Sequence, residues 1–464
     1  MIPPARGDFC FSPFLMDTII QGPAALQGQV RVPADKAIGH RAALVSALGT
    51  GATRIGPWPS GQDCAATLCV LEGLGVPITR VADGIEIHGR GLSGLRAPAG
   101  ILSCGESGTT MRLAAGLLAG QPFTSRLTAD PSLSRRPMSR ILDPLSRMGA
   151  RCAGRSASIS EAAAAAPPAA AGEVYPPLVI QGCRPLKGLT HHLAVASAQV
   201  KSALLLAGLY AETPTTVIEP VQTRDHTERM LRAVGVAVRQ ADRAITLEPP
   251  TQPLTVPPRL TIPGDFSSAA FFIVAASVLP KSRLVMTEVS VNPTRRHLLE
   301  VLQRMGASIR WTVDDDAWEP RGTITVEAAP LRGIELGPNE AAAMIDELPV
   351  LMVAACAAEG ATTITGVQEL RVKETDRLRS MTTGLARLGA RVELCGSDQV
   401  RIHPGPLRGA EVDSLGDHRT AMSLAVAGLM AEGTTRIRGA ECVAKSFEKF
   451  FDVLASVSQT RSWD

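Results

Sequence analysis

The sequence predicts an α/β protein of two pseudo-symmetric domains, each an inside-out barrel of three α/β units with buried helices and sheets outside. One recurring pattern predicts the units. It consists of a helix rich in small residues, followed by Gly and Thr and then by a short β-branched strand, and it occurs six times. These helices are apolar on every side, as in "AAFFIVAASVL". All-apolar helices lie inside a large protein or in a membrane, and a membrane span requires about 20 apolar residues. We therefore expect the six helices to be buried in protein.

The six copies are spaced 68 to 89 residues apart. They start at His40, Gly108, Ser197, Ser267, Glu347 and Asp417. This spacing exceeds the length of solenoid repeats, which is about 20–45 residues. We therefore group the six units into two domains of three units each.

A second element lies between these copies, a helix that ends in Gly before a strand. It is seen in "ILDPLSRMGARC" and "LLEVLQRMGASI". Gly directly after the last apolar residue is typical of a left-handed helix stop. The sixth copy is the C-terminal "FFDVLASV", where we expect the pattern to stop without a strand. The Ala/Pro-rich stretch 161–177 is interpreted as an insert in a turn, because its prolines end any helix that its alanines begin.

Composition and charge exclude several classes of protein. A net charge of +3 and an aromatic content of 3% do not indicate a nucleic-acid partner, although a mild basic excess suits small anionic substrates. The nine cysteines form no C-x-x-C pair, which argues against a metal site and for reduced thiols in the cytoplasm. Residues 1–15 resemble no signal peptide, and Met16 is an alternative start. We expect a monomer with no membrane segment.

Basic residues recur at the starts of the buried helices and beside Gly turns. They are Lys36, Arg41, Arg112, Arg135, Arg136, Arg224, Arg419 and Lys445. Helix N-termini bind anions, and Arg supplies a two-pronged donor for phosphate or carboxylate. Pairing with a nearby Asp or Glu explains any one of these residues equally well. Their repetition at equivalent positions favours an electropositive cleft for anionic ligands.

The stretch "RVKETDRLRSM", residues 371–381, concentrates charge in a chain that is only 20% charged. Interpreted as a helix, it places Lys373 and Arg377 on one face, where like charges repel by about 0.2–0.5 kcal/mol. Two cations on one face suggest a bound anion. Charge runs are nevertheless more often solvated faces, so both interpretations stay open at this point.

Six motifs then resemble, in order, those of the 5-enolpyruvylshikimate-3-phosphate synthase family. They are "SGTTMR", "SAQVKSALLLAGL", "TRDHTE", "RVKETDRL", "GDHRTAM" and "AKSFEKFF", and the resemblance runs from about residue 16 to the C-terminus. It implies three βαβαββ units in each domain, with the first strand joined to the C-terminal half. Crossovers near Pro33–Ala34 and Pro263–Gly264 would divide the chain into residues 1–33 plus 264–464 and residues 34–263.

The resemblance also implies transfer of the enolpyruvyl group of phosphoenolpyruvate to the 5-hydroxyl of shikimate 3-phosphate, with no metal or organic cofactor. Asp346 matches the acidic residue near that hydroxyl, and Glu374 and Lys36 match the pair that moves protons at phosphoenolpyruvate. Phosphoenolpyruvate would be bound by Lys36, Gly108, Arg136, Gln199, Arg377, Arg419 and Lys445. Shikimate 3-phosphate would be bound by Lys36, Arg41, Ser197, Ala198, Gln199, Arg224, Asp346 and Lys373. Lys373, Glu374 and Arg377 would then share one helix turn that faces both substrates.

Two residues depart from the family pattern. Ala37 replaces the usual Ser after the first Lys, and Glu106 replaces a common Asn, so Glu106 is expected either to weaken phosphoenolpyruvate binding or to pair with an Arg. These departures motivate one alternative, a catalytically inactive relative. Another is the sister enzyme that acts on UDP-N-acetylglucosamine, whose Cys on a mobile Gly-rich loop and Asn after the first Lys are not apparent here. Cys104 is interpreted as a buried core thiol.

Overall fold

Helices and strands alternate through residues 17–156 and 172–460, which are the parts of the chain that the computed structural model describes. The first elements are β1 (Thr18–Gly22), β2 (Ala24–Val30), α1 (Lys36–Leu48), β3 (Thr50–Gly56), α2 (Gln62–Gly73), β4 (Ile78–Val81), β5 (Gly84–Arg90), β6 (Leu102–Ser103), α3 (Gly108–Ala119), β7 (Thr124–Thr128), α4 (Ser139–Arg147), β8 (Arg151–Ser156), β9 (Val174–Gln181), β10 (Thr190–His192), α5 (Ala198–Gly208), β11 (Thr215–Ile218), α6 (His226–Ala233), β12 (Val238–Ala241), β13 (Ala244–Leu247) and β14 (Arg259–Thr261).

The remaining elements are α7 (Phe266–Val278), β15 (Arg283–Ser290), α8 (His297–Arg304), β16 (Ser308–Trp311), β17 (Arg321–Glu327), β18 (Glu335–Leu336), α9 (Pro338–Ala343), α10 (Leu348–Ala357), β19 (Thr362–Thr365), α11 (Arg377–Arg387), β20 (Arg391–Cys395), β21 (Gln399–His403), β22 (Glu411–Asp413), α12 (His418–Met430), β23 (Gly433–Arg438), α13 (Phe450–Val457) and β24 (Ser458–Thr460). Within these ranges no helix combines the length and the apolarity that crossing a membrane requires. The predictions for residues 1–15, for Met16 and for residues 161–171 of the Ala/Pro stretch lie outside the described residues, and residues 174–177 of that stretch belong to β9.

The strands of the described residues form six sheets with a common plan. Four sheets consist of a parallel pair followed by two antiparallel strands, in the orders β14-β3-β5-β4, β6-β7-β9-β8, β10-β11-β13-β12 and β18-β19-β21-β20. The others are β16-β17-β15-β2-β24 and β1-β23-β22. Because β1 pairs with β23 and β2 pairs with β15, the first strands join the C-terminal part of the chain, as predicted. The expected stop after "FFDVLASV" is wrong, since β24 follows it and pairs with β2.

All six predicted small-residue helices are present and buried, as α1, α3, α5, α7, α10 and α12. Every residue of α7 except Val278 is buried, and so is every residue of α10 except Ala357. The small residues allow close packing, because a Cβ added at Gly116 of α3 would lie 2.1 Å from the Ala203 carbonyl oxygen of α5. The predicted Gly stops are confirmed too, for example at Gly149 and Gly306, whose φ angles of 118° and 104° are left-handed.

The buried apolar residues fall into two clusters, which we call the central core and the terminal core. The central core is drawn from residues 34–262, and the terminal core from residues 20–30 and 266–457. The two chain segments that connect these cores, around Asp35 and Asp265, lie side by side. The Asp35 amide donates to the Pro263 carbonyl at 2.8 Å, and the Asp265 amide donates to the Pro33 carbonyl at 2.8 Å. Each aspartate then caps the helix that follows it, α1 or α7.

Candidate active site

The predicted site residues cluster at helix starts between the two cores, a region that we call the cleft. Lys36 is the first residue of α1, Gly108 of α3 and Arg377 of α11, while Arg419 is the second residue of α12. Capping side chains fix these starts; Asp417, for example, accepts the Arg419 and Thr420 amides. The N–H donors and positive dipole ends of such helices favour anionic ligands.

Asp346 lies at the centre of the cleft and is surrounded by cations from both cores. Its carboxylate contacts Arg224 Nη2 at 2.7 Å, Arg377 Nη1 at 3.2 Å and Arg419 Nη2 at 3.7 Å. Burial alone would raise the pKa of Asp346, but these cations, Arg419 and Arg224 most strongly, hold that pKa well below its usual value. The carboxylate is therefore ionised near neutral pH and can accept a proton.

Arg377 joins three carboxylates of the cleft. Its side chain is 2% exposed and contacts Asp417 at 2.8 Å, Asp346 at 3.2 Å and Glu374. Glu374 also faces Arg136, whose Nη2 lies 3.7 Å from Oε1. Burial opposes ionisation of Glu374, but Arg377 and Arg136 outweigh it and hold the pKa of Glu374 far below its usual value.

The predicted helical turn through Lys373, Glu374 and Arg377 is wrong. A 3-10 turn ends at Val372, residues 373–375 form a bend, and α11 begins only at Arg377. The reason is Asp376, whose carboxylate accepts the Arg379 amide at 2.9 Å and so sets the helix start. The bend still directs Lys373 towards the cleft. Burial lowers the pKa of Lys373, and the charge of Asp346 acts in the opposite direction.

Lys36 has a partner that the sequence did not indicate. Its Nζ lies 2.8 Å from Asp63 Oδ2 of α2, and both side chains are partly exposed. Burial would lower the pKa of Lys36, but Asp63 and then Glu374 raise it above the usual value. Burial and Arg419 hold the pKa of His418 well below its usual value, so the imidazole beside Glu374 is neutral. His418 lies within the "GDHRTAM" motif but had no predicted role.

Most of the residues matched to shikimate 3-phosphate lie on α1, at the start of α5 or just before α6, whereas Asp346 and Lys373 precede α10 and α11. The Arg41 guanidinium donates to Thr227 Oγ1 and to Ser202 Oγ, each at 2.8 Å. Ser197 caps α5 by accepting the Val200 amide at 3.4 Å, and Ala198 is the first residue of that helix. Ala198 can therefore contribute only its backbone at this helix start.

Gln199 is held by two residues of α3. Its Oε1 accepts from Arg112 Nη1 at 2.8 Å, and its Nε2 donates to Thr109 Oγ1 at 2.8 Å. Arg112 had no predicted role beyond its place among the basic residues. Burial, and then Arg136, lower the pKa of Arg112 to about 10. A Cβ added at Gly108 would lie 2.8 Å from the Arg112 guanidinium, so the glycine leaves room for this cation.

Glu106 has a different partner from the predicted one. It pairs with Lys445 at 3.4 Å rather than with an Arg, and both side chains are nearly half exposed. The contact joins the start of α3 to the C-terminal region across the cleft. That region is anchored by Phe447 and Phe450, which pack against Phe272 of α7 with ring centroids 6.1 and 5.6 Å apart. Cys104 is fully buried and unpaired, as predicted.

The cleft thus combines an excess of guanidinium and ammonium groups with two ionised carboxylates, Asp346 and Glu374. The cations can hold phosphates and carboxylates of small ligands. The carboxylates can accept protons, and Lys36 can donate one. In the described ranges no three His, Cys, Asp or Glu side chains are grouped to bind a metal ion.

Comparison with known proteins connects this geometry to one family. The sequence profile described as EPSP synthase (3-phosphoshikimate 1-carboxyvinyltransferase) matches residues 20–454. The chain is 46% identical over 444 residues to the 3-phosphoshikimate 1-carboxyvinyltransferase of Syntrophotalea carbinolica, covering 95% of this chain and 99% of the relative. It is 48% identical over 454 residues to that of Salinibacter ruber, covering 96% and 100%.

A solved structure agrees with these relatives. EPSP synthase from Acinetobacter baumannii superposes with a TM-score of 0.84 at 39% identity, covering 96% of this chain and 98% of that structure. The mixed α/β fold is therefore the one found in EPSP synthase structures.

Proposed function

The chain belongs to the EPSP synthase family, and we propose that the cleft around Asp346 and Glu374 is its active site. Its reaction transfers the enolpyruvyl group of phosphoenolpyruvate to the 5-hydroxyl of shikimate 3-phosphate and releases phosphate, a step of the shikimate pathway to the aromatic amino acids. The assignment of the cleft rests on one observation above all. Arg224 and Asp346, which belong to different cores, meet at 2.7 Å amid the other matched residues.

We propose that phosphoenolpyruvate is bound on the Glu374 side of the cleft. The residues are Lys36, Gly108, Arg136, Gln199, Arg377, Arg419 and Lys445. Several of these cations are paired with carboxylates, because Arg136 and Arg377 contact Glu374 and Arg419 contacts Asp346. The phosphate and carboxylate of the ligand would compete for the same donors.

Shikimate 3-phosphate is assigned to the Asp346 side. Its residues are Lys36, Arg41, Ser197, Ala198, Gln199, Arg224, Asp346 and Lys373. Arg41, Arg224 and Lys373 supply charge for the phosphate and carboxylate. Asp346 is the carboxylate to which the 5-hydroxyl would be directed.

The reaction requires an addition and then an elimination. In the addition, Asp346 takes the proton of the 5-hydroxyl while the oxygen of that hydroxyl bonds to C2 of phosphoenolpyruvate. At the same stage C3 of phosphoenolpyruvate gains a proton and becomes a methyl group. In the elimination, the bond between C2 and the phosphate oxygen breaks and phosphate leaves, and the methyl group loses a proton to a base of the site. The raised pKa of Lys36 keeps it protonated and the lowered pKa of Glu374 keeps it ionised, which suits proton donation by Lys36 and proton acceptance by Glu374.

We further propose that the two cores are two domains, residues 1–33 plus 264–464 and residues 34–263. Support comes from the paired crossovers at Ala34 and Gly264, which form an antiparallel bridge. The buried first helices and the repeated sheet plan support three βαβαββ units in each domain, with the sheets outside.

A monomer in the cytoplasm, with no metal or organic cofactor, completes the proposal. The large exposed hydrophobic side chains of the described residues include Ile19 on β1, Ile101 before β6 and Leu394 on β20, which belong to different sheets, and this supports a monomer. The cysteines of the described ranges are unpaired, which suits a reducing compartment. The sister enzyme acting on UDP-N-acetylglucosamine is not favoured by the family match.

Equilibrium binding tests the assignment of the cleft. We expect titration calorimetry to show one shikimate 3-phosphate site on the wild-type protein and no binding of UDP-N-acetylglucosamine. Arg224→Gln should weaken shikimate 3-phosphate about tenfold or more, because hydrogen bonds to charged groups contribute roughly 1.5–3 kcal/mol. Arg239→Gln, a change of an exposed arginine on β12, is the control. Equal affinity in both variants would contradict the assignment of Arg224.

The pairing of Glu106 with Lys445 gives a second prediction. Glu106→Asn should lower the KM for phosphoenolpyruvate about two- to fivefold, since an exposed ion pair contributes roughly 0.2–1 kcal/mol and holds Lys445 away from the ligand. Steady-state phosphate release at varied phosphoenolpyruvate measures this change. Glu448→Gln removes an exposed carboxylate three residues from Lys445 and should leave KM unchanged. A higher KM in Glu106→Asn would show that Glu106 assists binding instead.

A further inference from the structure

A fully buried ion cluster lies beside the cleft and has no part in the proposed chemistry. Lys201 of α5 contacts Glu219 Oε2 at 2.9 Å and Glu228 Oε1 of α6 at 2.7 Å, and the three side chains are at most 1% exposed. Burying three charged groups is costly, and apolar residues of similar volume are often as stable or more stable. Stability alone therefore does not account for the cluster.

The cluster holds the residue that precedes Arg224. Glu219 accepts the Thr223 amide at 3.4 Å and also accepts the Thr223 hydroxyl. Lys201 Nζ donates to the Thr223 carbonyl at 3.4 Å. All of the polar backbone of Thr223 is thus tied to α5 and to the end of β11. Arg224 follows directly and reaches Asp346 at 2.7 Å.

The residue after Arg224 is held separately, from the terminal core. Asn292 Nδ2 donates to Asp225 Oδ1 at 2.7 Å, and the Asp225 amide donates to Thr294 Oγ1 at 3.3 Å. Arg224 therefore stands between two fixed neighbours, one held by each core. Thr223 is the neighbour that links Arg224 to the central core.

The same cluster adjoins the second arginine assigned to shikimate 3-phosphate. Arg41 donates to Ser202 and Thr227, each at 2.8 Å, and these residues are the sequence neighbours of Lys201 and Glu228. Arg41 and Lys201 with Glu219 and Glu228 make a group of two cations and two carboxylates. Such a group fixes positions without leaving an excess charge.

We propose that Lys201 is a positioning residue for shikimate 3-phosphate binding: through Glu219 and Thr223 it sets the place of Arg224 before the ligand arrives. The inference rests on the proposed function of the cleft. Rigid support behind a binding residue reduces the ordering that binding must supply, and it therefore acts on affinity.

The test compares three variants by steady-state phosphate release. Lys201→Met should raise the KM for shikimate 3-phosphate about tenfold, because ionic hydrogen bonds that fix the Arg224 loop are about twice as strong as neutral ones. The KM for phosphoenolpyruvate should change less than about threefold, because the Lys201 cluster holds Arg224, which is assigned to shikimate 3-phosphate and not to phosphoenolpyruvate. Lys201→Arg keeps the charge and should restore most of the affinity. Thr223→Val, which leaves the ion cluster intact, should reproduce the KM effect in part even if Lys201→Met fails to fold.

A double-mutant cycle separates positioning from general destabilisation. In an Arg224→Gln background, Lys201→Met and Thr223→Val should add less than about twofold to the KM for shikimate 3-phosphate, because residues that act through one another are not additive. Leu247→Ala, at the end of β13 far from Glu219, is the control for lost stability and should leave both KM values unchanged.

Full additivity with Arg224→Gln, or equal changes in both KM values, would overturn the proposal. A wild-type protein without phosphate release would count against the proposed function instead, so the two failures are distinguishable.

Discussion

Replacing Asp346 with alanine is expected to reduce turnover by about 10²–10⁴-fold, the contribution typical of a general base. The reason is that Asp346 is the ionised carboxylate at the meeting point of Arg224, Arg377 and Arg419. Binding of shikimate 3-phosphate should stay within about tenfold, or roughly 1.4 kcal/mol, because the cations remain and the ligand can pair with them. Phosphate release measures turnover, and titration calorimetry measures binding.

Two further variants make this prediction specific. Asp346→Asn keeps the shape of the side chain but not its charge, so it should be nearly as inactive as Asp346→Ala. Asp452→Ala, at an exposed carboxylate on α13, should have wild-type turnover. Unchanged turnover in Asp346→Ala would remove Asp346 from catalysis.

Replacing Arg377 with methionine is expected to lower the free energy of unfolding by about 3–5 kcal/mol and to abolish turnover. The side chain of Arg377 is 2% exposed, and its guanidinium forms ion pairs with Asp417, which is fully buried, and with Asp346 and Glu374. Removing it leaves the buried carboxylate of Asp417 without a counter-ion and leaves Asp346 and Glu374 with one cation fewer each. Urea unfolding measures the change in stability. Arg379→Met, at an exposed position of the same helix, should alter stability by less than about 0.5 kcal/mol.

The pH dependence of this difference identifies its cause. The folded-state pKa values of Asp346 and Glu374 are lowered, so the stability that their ionised forms contribute is present above their unfolded pKa values, about 3.9 and 4.3. That contribution is lost as the pH falls through the folded-state pKa values. The difference between wild type and Arg377→Met should therefore be constant from about pH 7 to 5 and shrink below about pH 4. A difference that persists unchanged at low pH would assign the loss to packing.

The fold was largely predictable because its signals are local. A helix that is apolar on every side, such as α7, must be buried in the protein. Gly149 and Gly306 end their helices because glycine adopts the left-handed backbone conformation without steric cost. The pairing of β1 with β23 was predictable only through the family resemblance, because its partners lie at opposite ends of the chain.

The site was predictable only in part, since its contacts are distant in sequence. Asp63 faces Lys36 from α2, and Lys445 faces Glu106 across the cleft, and nothing in the local sequence indicates either pair. The bend before Arg377 was missed because charge spacing suggested a continuous helix, whereas the Asp376 cap sets the start.

The most direct test of the central claim is phosphate release from phosphoenolpyruvate by the wild-type protein, with shikimate 3-phosphate or with UDP-N-acetylglucosamine as acceptor. We predict release with shikimate 3-phosphate alone, which would also show that Ala37 and Glu106 are compatible with activity. Release with UDP-N-acetylglucosamine, or with neither acceptor from folded protein, would contradict the account.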